Sequence, residues 1–240
     1  MSKYISKSDI KSIGSRIVSE YLNIINADIY NLESIDPSRV LTEYHGLDIE
    51  YRHLSRTGSI LGLTSFEEIG VEVLDDDTED MFFLDGKTVL IEKELKADNK
   101  QRGRCNFTIM HEGCHQILKK LYPDYYGSDV KERRVLYYRE SDKFQCREEW
   151  QANALASEIL MPEELVICNM ERAGLSRNLD IINSVWRKRE YGKFACVADK
   201  LGVSKKALAI RMKQLGMVKE EYLANPYSIT NIYMGDDCFG

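Results

Sequence analysis

The stretch His111-Glu112-Gly113-Cys114-His115 constrains the chain more than any other. Two imidazoles four residues apart lie on one face of a helix, one turn from each other, and can share one metal ion. Zinc suits that pair, because it takes His nitrogen and carboxylate oxygen in a tetrahedral set and leaves a position for water. Glu112 follows the first His and can reach that water as a general base. The chain holds 4 His, so two of them around a Glu are not a by-product of a His-rich composition. Phe107, Ile109, Met110, Ile117, Leu118 and Leu121 recur at mostly helical spacing, which predicts a helix over about 107–121, with Thr108 as N-cap and Pro123 beyond its end. Gly113 costs such a helix about 1 kcal/mol relative to Ala, so its presence implies the close approach of another backbone.

Two His leave a third protein ligand to be found. Residues 148–162 read as a second helix, closed by Pro162. Glu149 and Asn153 share a face of it, and Ala152 and Ala156 beside them are small enough to let another helix come close. Glu149 is the candidate third ligand. Asn153 can hydrogen-bond one of the two His and fix its tautomer. The competitor, Glu148, points about 100° away around the helix.

These residues carry a resemblance. Asn106-Phe107-Thr108-Ile109-Met110-His111-Glu112, closed by His115, resembles the catalytic helix of the ImmA/IrrE metallopeptidases. Glu149, Ala152-Asn153, Ala156 and Ile159-Leu160-Met161-Pro162 resemble the second signature of that family. Leu201-Gly202-Val203-Ser204, Ala207-Leu208, Arg211 and Leu215-Gly216 are similar to its C-terminal helix pair, so the likeness runs over about residues 20–218. The resemblance implies an α+β fold, a minimal zincin of the gluzincin type with a small sheet, and a Glu as third ligand. It also implies a bacterial or phage protein of the cytoplasm, tied to helix-turn-helix repressors of mobile elements or stress responses, some of which such enzymes cleave. Two positions depart from the pattern. Gly113-Cys114 stands where a bulky apolar residue and then a small one are usual, and Gln151 replaces an acidic residue before Ala152-Asn153. The second departure favours Glu149 as the ligand.

Hydrophobic content of 43% and charged content of 30% are those of a globular protein. No basic start followed by an apolar stretch marks a signal peptide, and no run reaches the 18 or so apolar residues of a membrane span. Cys105, Cys114, Cys146, Cys168, Cys196 and Cys238 show no paired spacing and read as free thiols in a reducing, cytoplasmic setting. Cys114 adjoins His115, where a thiolate could compete for the metal, although a small packing residue is the simpler reading.

Elsewhere the pattern predicts a helix over 7–25 starting at Ser8-Asp9, a short helix from Pro37 to near Gly46, and strands over 47–54, 60–63 and 71–74. Asp75 to Asp80 lacks the Gly and spacing of an EF-hand and reads as a solvated turn. Phe82 to Ile91 reads as a hairpin about Asp85-Gly86. By the resemblance, its second strand would lie over the cleft and pair its free edge with an extended peptide. Residues 122–147 form a long connection, either a packed excursion or a lid that supplies a Tyr to the oxyanion, from Tyr122, Tyr125, Tyr126, Tyr137 or Tyr138.

Charge divides the chain. Residues 187–219 carry ten Lys and Arg against Glu190 and Asp199, an excess of eight positive charges in a chain of net −6. Two short helices joined through Gly202, with Ser204 as N-cap and Gly216 as stop, follow helix-turn-helix grammar. Lys205, Lys206, Arg211 and Lys213 could meet DNA phosphates or form a docking face. The expected layout is a metallopeptidase domain over 1–176, a helical module over 177–220 and a tail over 221–240. Two functions stand: a zinc endopeptidase acting on a regulatory protein, and a DNA- or repressor-binding regulator whose metal site is structural or vestigial. A structural site needs no base, so Glu112 favours the first.

Overall fold

A computed structural model describes residues 5–75, 78–124, 126, 135–138, 147–219 and 228–229. They form α helices and small sheets, an α+β fold, in two compact units. The first comprises Met1–Ala27 and Ile35–Leu160; the second comprises Asp28–Ser34 and Met161–Gly240.

In the first unit, α1 spans Lys7–Ile24 and is capped by Ser6. Ser6 Oγ accepts from Asp9 N while Ser6 N donates to Asp9 Oδ2, a reciprocal box that serves two otherwise orphaned N–H groups. Asp36 caps α2, Pro37–Arg39, which continues as a π-helical turn over Val40–His45. The strands are β1 Asp48–Arg52, β2 Gly62–Ser65, β3 Glu68–Asp75, β4 Thr78–Asp85 and β5 Thr88–Glu92. Helices α3, Lys93–Ala97, and α4, Arg102–Leu121, follow, then β6, Val135–Tyr138, and α5, Arg147–Leu160.

One sheet has the order β1-β5-β2-β6, with β1 parallel to β5 and the other pairs antiparallel. The hairpin expected about Asp85-Gly86 is not formed: β4 pairs with β3, and β5 pairs with β1 and β2. The turn itself is as its chemistry demands. Gly86 has φ +78°, and Asp85 Oδ1 accepts from the backbone N–H groups of Lys87 and Thr88. The same turn lets a chain leave one sheet for another. Nor does β5 keep a free edge for a peptide, since neighbours pair with it on both sides. Val89-Leu90-Ile91 is an unbroken apolar run, fully buried, as befits a central strand covered on both faces. The acidic stretch lies at the β3–β4 turn, of which residues 76–77 fall outside the described ones.

The pleat sorts β2 between two layers. Leu63 joins Leu54, Val71, Val73, Leu84 and Leu90 in a core under the β3–β4 hairpin. Gly62 and Thr64 point the other way, to α4: Gln116 Nε2 donates to Thr64 Oγ1 and Ser65 O. On the far side of α4 the fully buried Ala152 and Ala156 lie in α5.

The second unit contains α6 Glu163–Arg172, α7 Lys188–Leu201 and α8 Lys205–Gln214 around buried Leu165, Phe194, Val197, Leu208 and Met212. Gly202 ends α7 at φ +67°, and Ser204 Oγ accepts from Ala207 N to start α8. Arg211, one of the four residues expected to meet phosphates, is 3% exposed and donates from Nε to Met161 O. Its side chain therefore braces this unit from within. Among the described residues no helix is long and apolar enough to cross a membrane.

Candidate metal centre

Helix α4 begins five residues before the expected start. Asp98 caps a 3-10 turn over Asn99–Gln101 that leads directly into it, so Thr108 lies inside the helix and fully buried rather than capping it. Gly113 is explained by a side chain, not by a backbone: a Cβ there would stand 2.2 Å from Leu41 Cδ2 and 2.6 Å from Leu41 Cδ1.

His111, Glu112 and His115 are at most 1% exposed, and Glu149 on α5 is 19% exposed. His111 Nε2 lies 3.1 Å from Glu149 Oε2, His115 Nε2 lies 3.4 Å from Glu149 Oε1, and the two Nε2 atoms are 3.1 Å apart. Donors about 2.0–2.1 Å from one ion at tetrahedral angles lie about 3.3 Å from each other, so this spacing matches a shared tetrahedral cation. His111, His115 and Glu149 are the group among the described residues that could hold a metal ion. The side chain of Glu148 is absent from that group. Its carbonyl instead accepts from the Tyr126 hydroxyl.

The electrostatics ask for a cation at the same point. His111 Nδ1 is 3.1 Å from Asn153 Oδ1. An amide oxygen only accepts, so Nδ1 carries the proton and Nε2 turns a lone pair to the cluster. Burial holds His111 below its ordinary pKa, which keeps it neutral. Burial works to raise the Glu149 carboxyl, and it is a donor or positive charge on the His111 and His115 side that holds it well below the usual carboxylate range. Glu149 thus calls for a positive partner that neutral His111 does not provide. A bound cation satisfies both.

Glu112 stands beside this cluster with neither carboxylate oxygen hydrogen-bonded among the described residues. Burial, and after it the negative charge of Glu149, raises its carboxyl well above the ordinary value. Cys114 is fully buried, and burial raises its thiol as well, the reverse of an activated thiolate. Cys105, Cys168 and Cys196 are likewise free thiols, while Cys146 and Cys238 lie outside the described residues.

Two contributors have no signature in the sequence. Gly62 of β2 abuts Glu112, and the Tyr126 hydroxyl lies 2.8 Å from His115 Nδ1. Tyr126 belongs to the connection expected to supply an oxyanion Tyr. Its hydroxyl is engaged on the side of His115 remote from Nε2. Tyr125 falls outside the described residues, and Tyr137 and Tyr138 enter as the backbone of β6.

No curated protein matches the chain. The family model of peptidase M78, the IrrE N-terminal-like domain, matches residues 67–213, more than half of the chain and all of α4 and α5. A metallopeptidase model laid over a convergent His-His-Glu cluster places this chain in the peptidase M78 family, the ImmA/IrrE metallopeptidases.

Proposed function

We propose that the chain is a zinc-dependent endopeptidase that hydrolyses a peptide bond in a regulatory protein, with a helix-turn-helix repressor of a mobile element or stress response as its substrate. The observation that carries this reading is the convergence of three donors at 3.1–3.4 Å beside a buried carboxylate that has no partner among the described residues. His111, His115 and Glu149 are the ligands, and Asn153 orients His111. A zinc ion there would polarise the peptide carbonyl, acidify a water and, by its charge, return Glu112 toward ionisation. Glu112 takes the proton of the attacking water and passes it to the leaving amine.

The basic stretch 187–219 fits a docking surface for the substrate protein better than a DNA reader. Of its four candidate phosphate contacts, Arg211 is engaged inside its own unit, while Lys205 is exposed. The rest of the chain carries the opposite charge and would repel DNA nearby. Metal analysis of the purified chain tests the reading. About one zinc per chain is expected. His111→Ala and His115→Ala should abolish it and Glu149→Ala should weaken it strongly, with Glu148→Ala neutral. Metal lost from the Glu148 variant and kept by the Glu149 variant would reject the ligand set.

A further inference from the structure

Tyr126 is 2% exposed and sits one turn beyond α4, where its N–H donates to Tyr122 O and its carbonyl accepts from Lys119 Nζ. Its hydroxyl lies between Glu148 O at 3.2 Å and His115 Nδ1 at 2.8 Å. A phenol has one proton to give, and a carbonyl oxygen can only accept. Only by giving that proton to Glu148 O does the hydroxyl hydrogen-bond both neighbours. What remains toward His115 is a lone pair, so Nδ1 must be the donor. That fixes the His115 proton on Nδ1 and directs the Nε2 lone pair at His111 Nε2 and Glu149, 3.1 and 3.4 Å away. The carbonyl at the other end of this relay belongs to the residue before Glu149, in the first turn of α5. One hydroxyl thus links a His of α4 to the backbone that presents the carboxylate of α5.

We propose that Tyr126 is a positioning residue of the metal centre, setting the tautomer and ring orientation of His115 and tying them to the placement of Glu149. The inference rests on the metal reading above. It gives the two imidazoles separate holders: Asn153, a helix side chain, for His111 and Tyr126, a residue of the following connection, for His115. A residue that only filled space would leave the proton positions alone; a positioning residue controls them. Packing alone is preserved by Tyr126→Phe, which removes the hydroxyl and leaves the ring against Phe66.

The test uses the full chain, labelled with nitrogen-15, and reads the ring N–H protons of His111 and His115 together with zinc affinity by chelator competition. In the wild type, both Nδ1 protons should be present and slow to exchange with water. In Tyr126→Phe the His115 signal should be lost to exchange while that of His111 persists, and in Asn153→Ala the pattern should reverse. Each variant should raise the zinc dissociation constant about 10–100-fold. The proposal is overturned if Tyr126→Phe leaves the His115 proton and the zinc affinity as in the wild type, or if wild-type His115 carries its proton on Nε2. The wild-type measurement needs no variant, so a Tyr126→Phe chain that fails to fold does not remove the test. The proton comparison in the metal-free chain reads the hydrogen bond alone, so a wild type that takes up no zinc counts against the metal centre and not against Tyr126.

Discussion

Gly62 of β2 rests on Glu112 of α4: a Cβ at Gly62 would stand 2.8 Å from Glu112 Cγ, 2.8 Å from Thr108 Cγ2 and 3.0 Å from Glu112 Oε1. The backbone here is ordinary strand, so the requirement for glycine is one of space. Gly62→Ala should push the Glu112 carboxylate aside at a cost of about 1–3 kcal/mol in overpacking. Cleavage should fall by tenfold or more, because the base must lie within hydrogen-bond reach of its proton. Zinc content should not change, since no ligand moves. Equal loss of zinc and activity would show that Gly62 supports the helix as a whole and not Glu112.

Gly113 and Leu41 form a second such pair. Gly113→Ala should gain about 1 kcal/mol in helix propensity. Against that, the added methyl would lie 2.2 Å from Leu41 Cδ2, and overpacking of a filled core costs about 1–3 kcal/mol. The net effect expected is a lower melting temperature. Leu41→Ala alone should destabilise by about 2–5 kcal/mol through the cavity it leaves. The double variant should lose less than the two singles combined, because the methyl added by Gly113→Ala occupies part of the vacated space. Strict additivity in denaturant melts would contradict the contact.

His45 predicts the acid limb of stability. Burial, with the charge of Lys120 adding to it, lowers its pKa from 6.5 to about 4, so the folded state holds it neutral. As pH falls below 6.5 the unfolded chain takes up a proton that the folded chain refuses. Its contribution is therefore intact above 6.5 and is lost as pH falls toward 4, by an amount of order 2–3 kcal/mol. Replacing His45 by Gln should flatten the stability profile over that window. A profile of unchanged slope would show that other groups govern it.

The centre was legible where it obeyed helix geometry. His111, His115, Glu149 and Asn153 sit at spacings of four on two helices, and the structure brings all four together. Tyr126 and Gly62 had no such signature. One reaches the site from a connection and the other from a strand, and neither position follows from a local period. The Asp85-Gly86 turn does not reveal its strand partners, since its side-chain capping is the same whether the flanking strands pair or part. Continuity of Val89-Leu90-Ile91 held the corrective, as an edge strand would have alternated. Charge alone does not separate Arg211 from its basic neighbours, since a sequence does not reveal a guanidinium turned inward to a carbonyl.

The proposed peptidase rests on Glu112 as its base. Glu112→Gln keeps the shape of the side chain and removes its basicity. The direct measurement is cleavage of a purified helix-turn-helix repressor by the zinc-loaded wild type and by this variant, with zinc content determined on the same samples. Cleavage by the wild type, equal zinc in both, and a loss of about 10²–10⁴-fold in rate for Glu112→Gln are expected. A variant that holds zinc and cuts as fast as the wild type would contradict that role for Glu112.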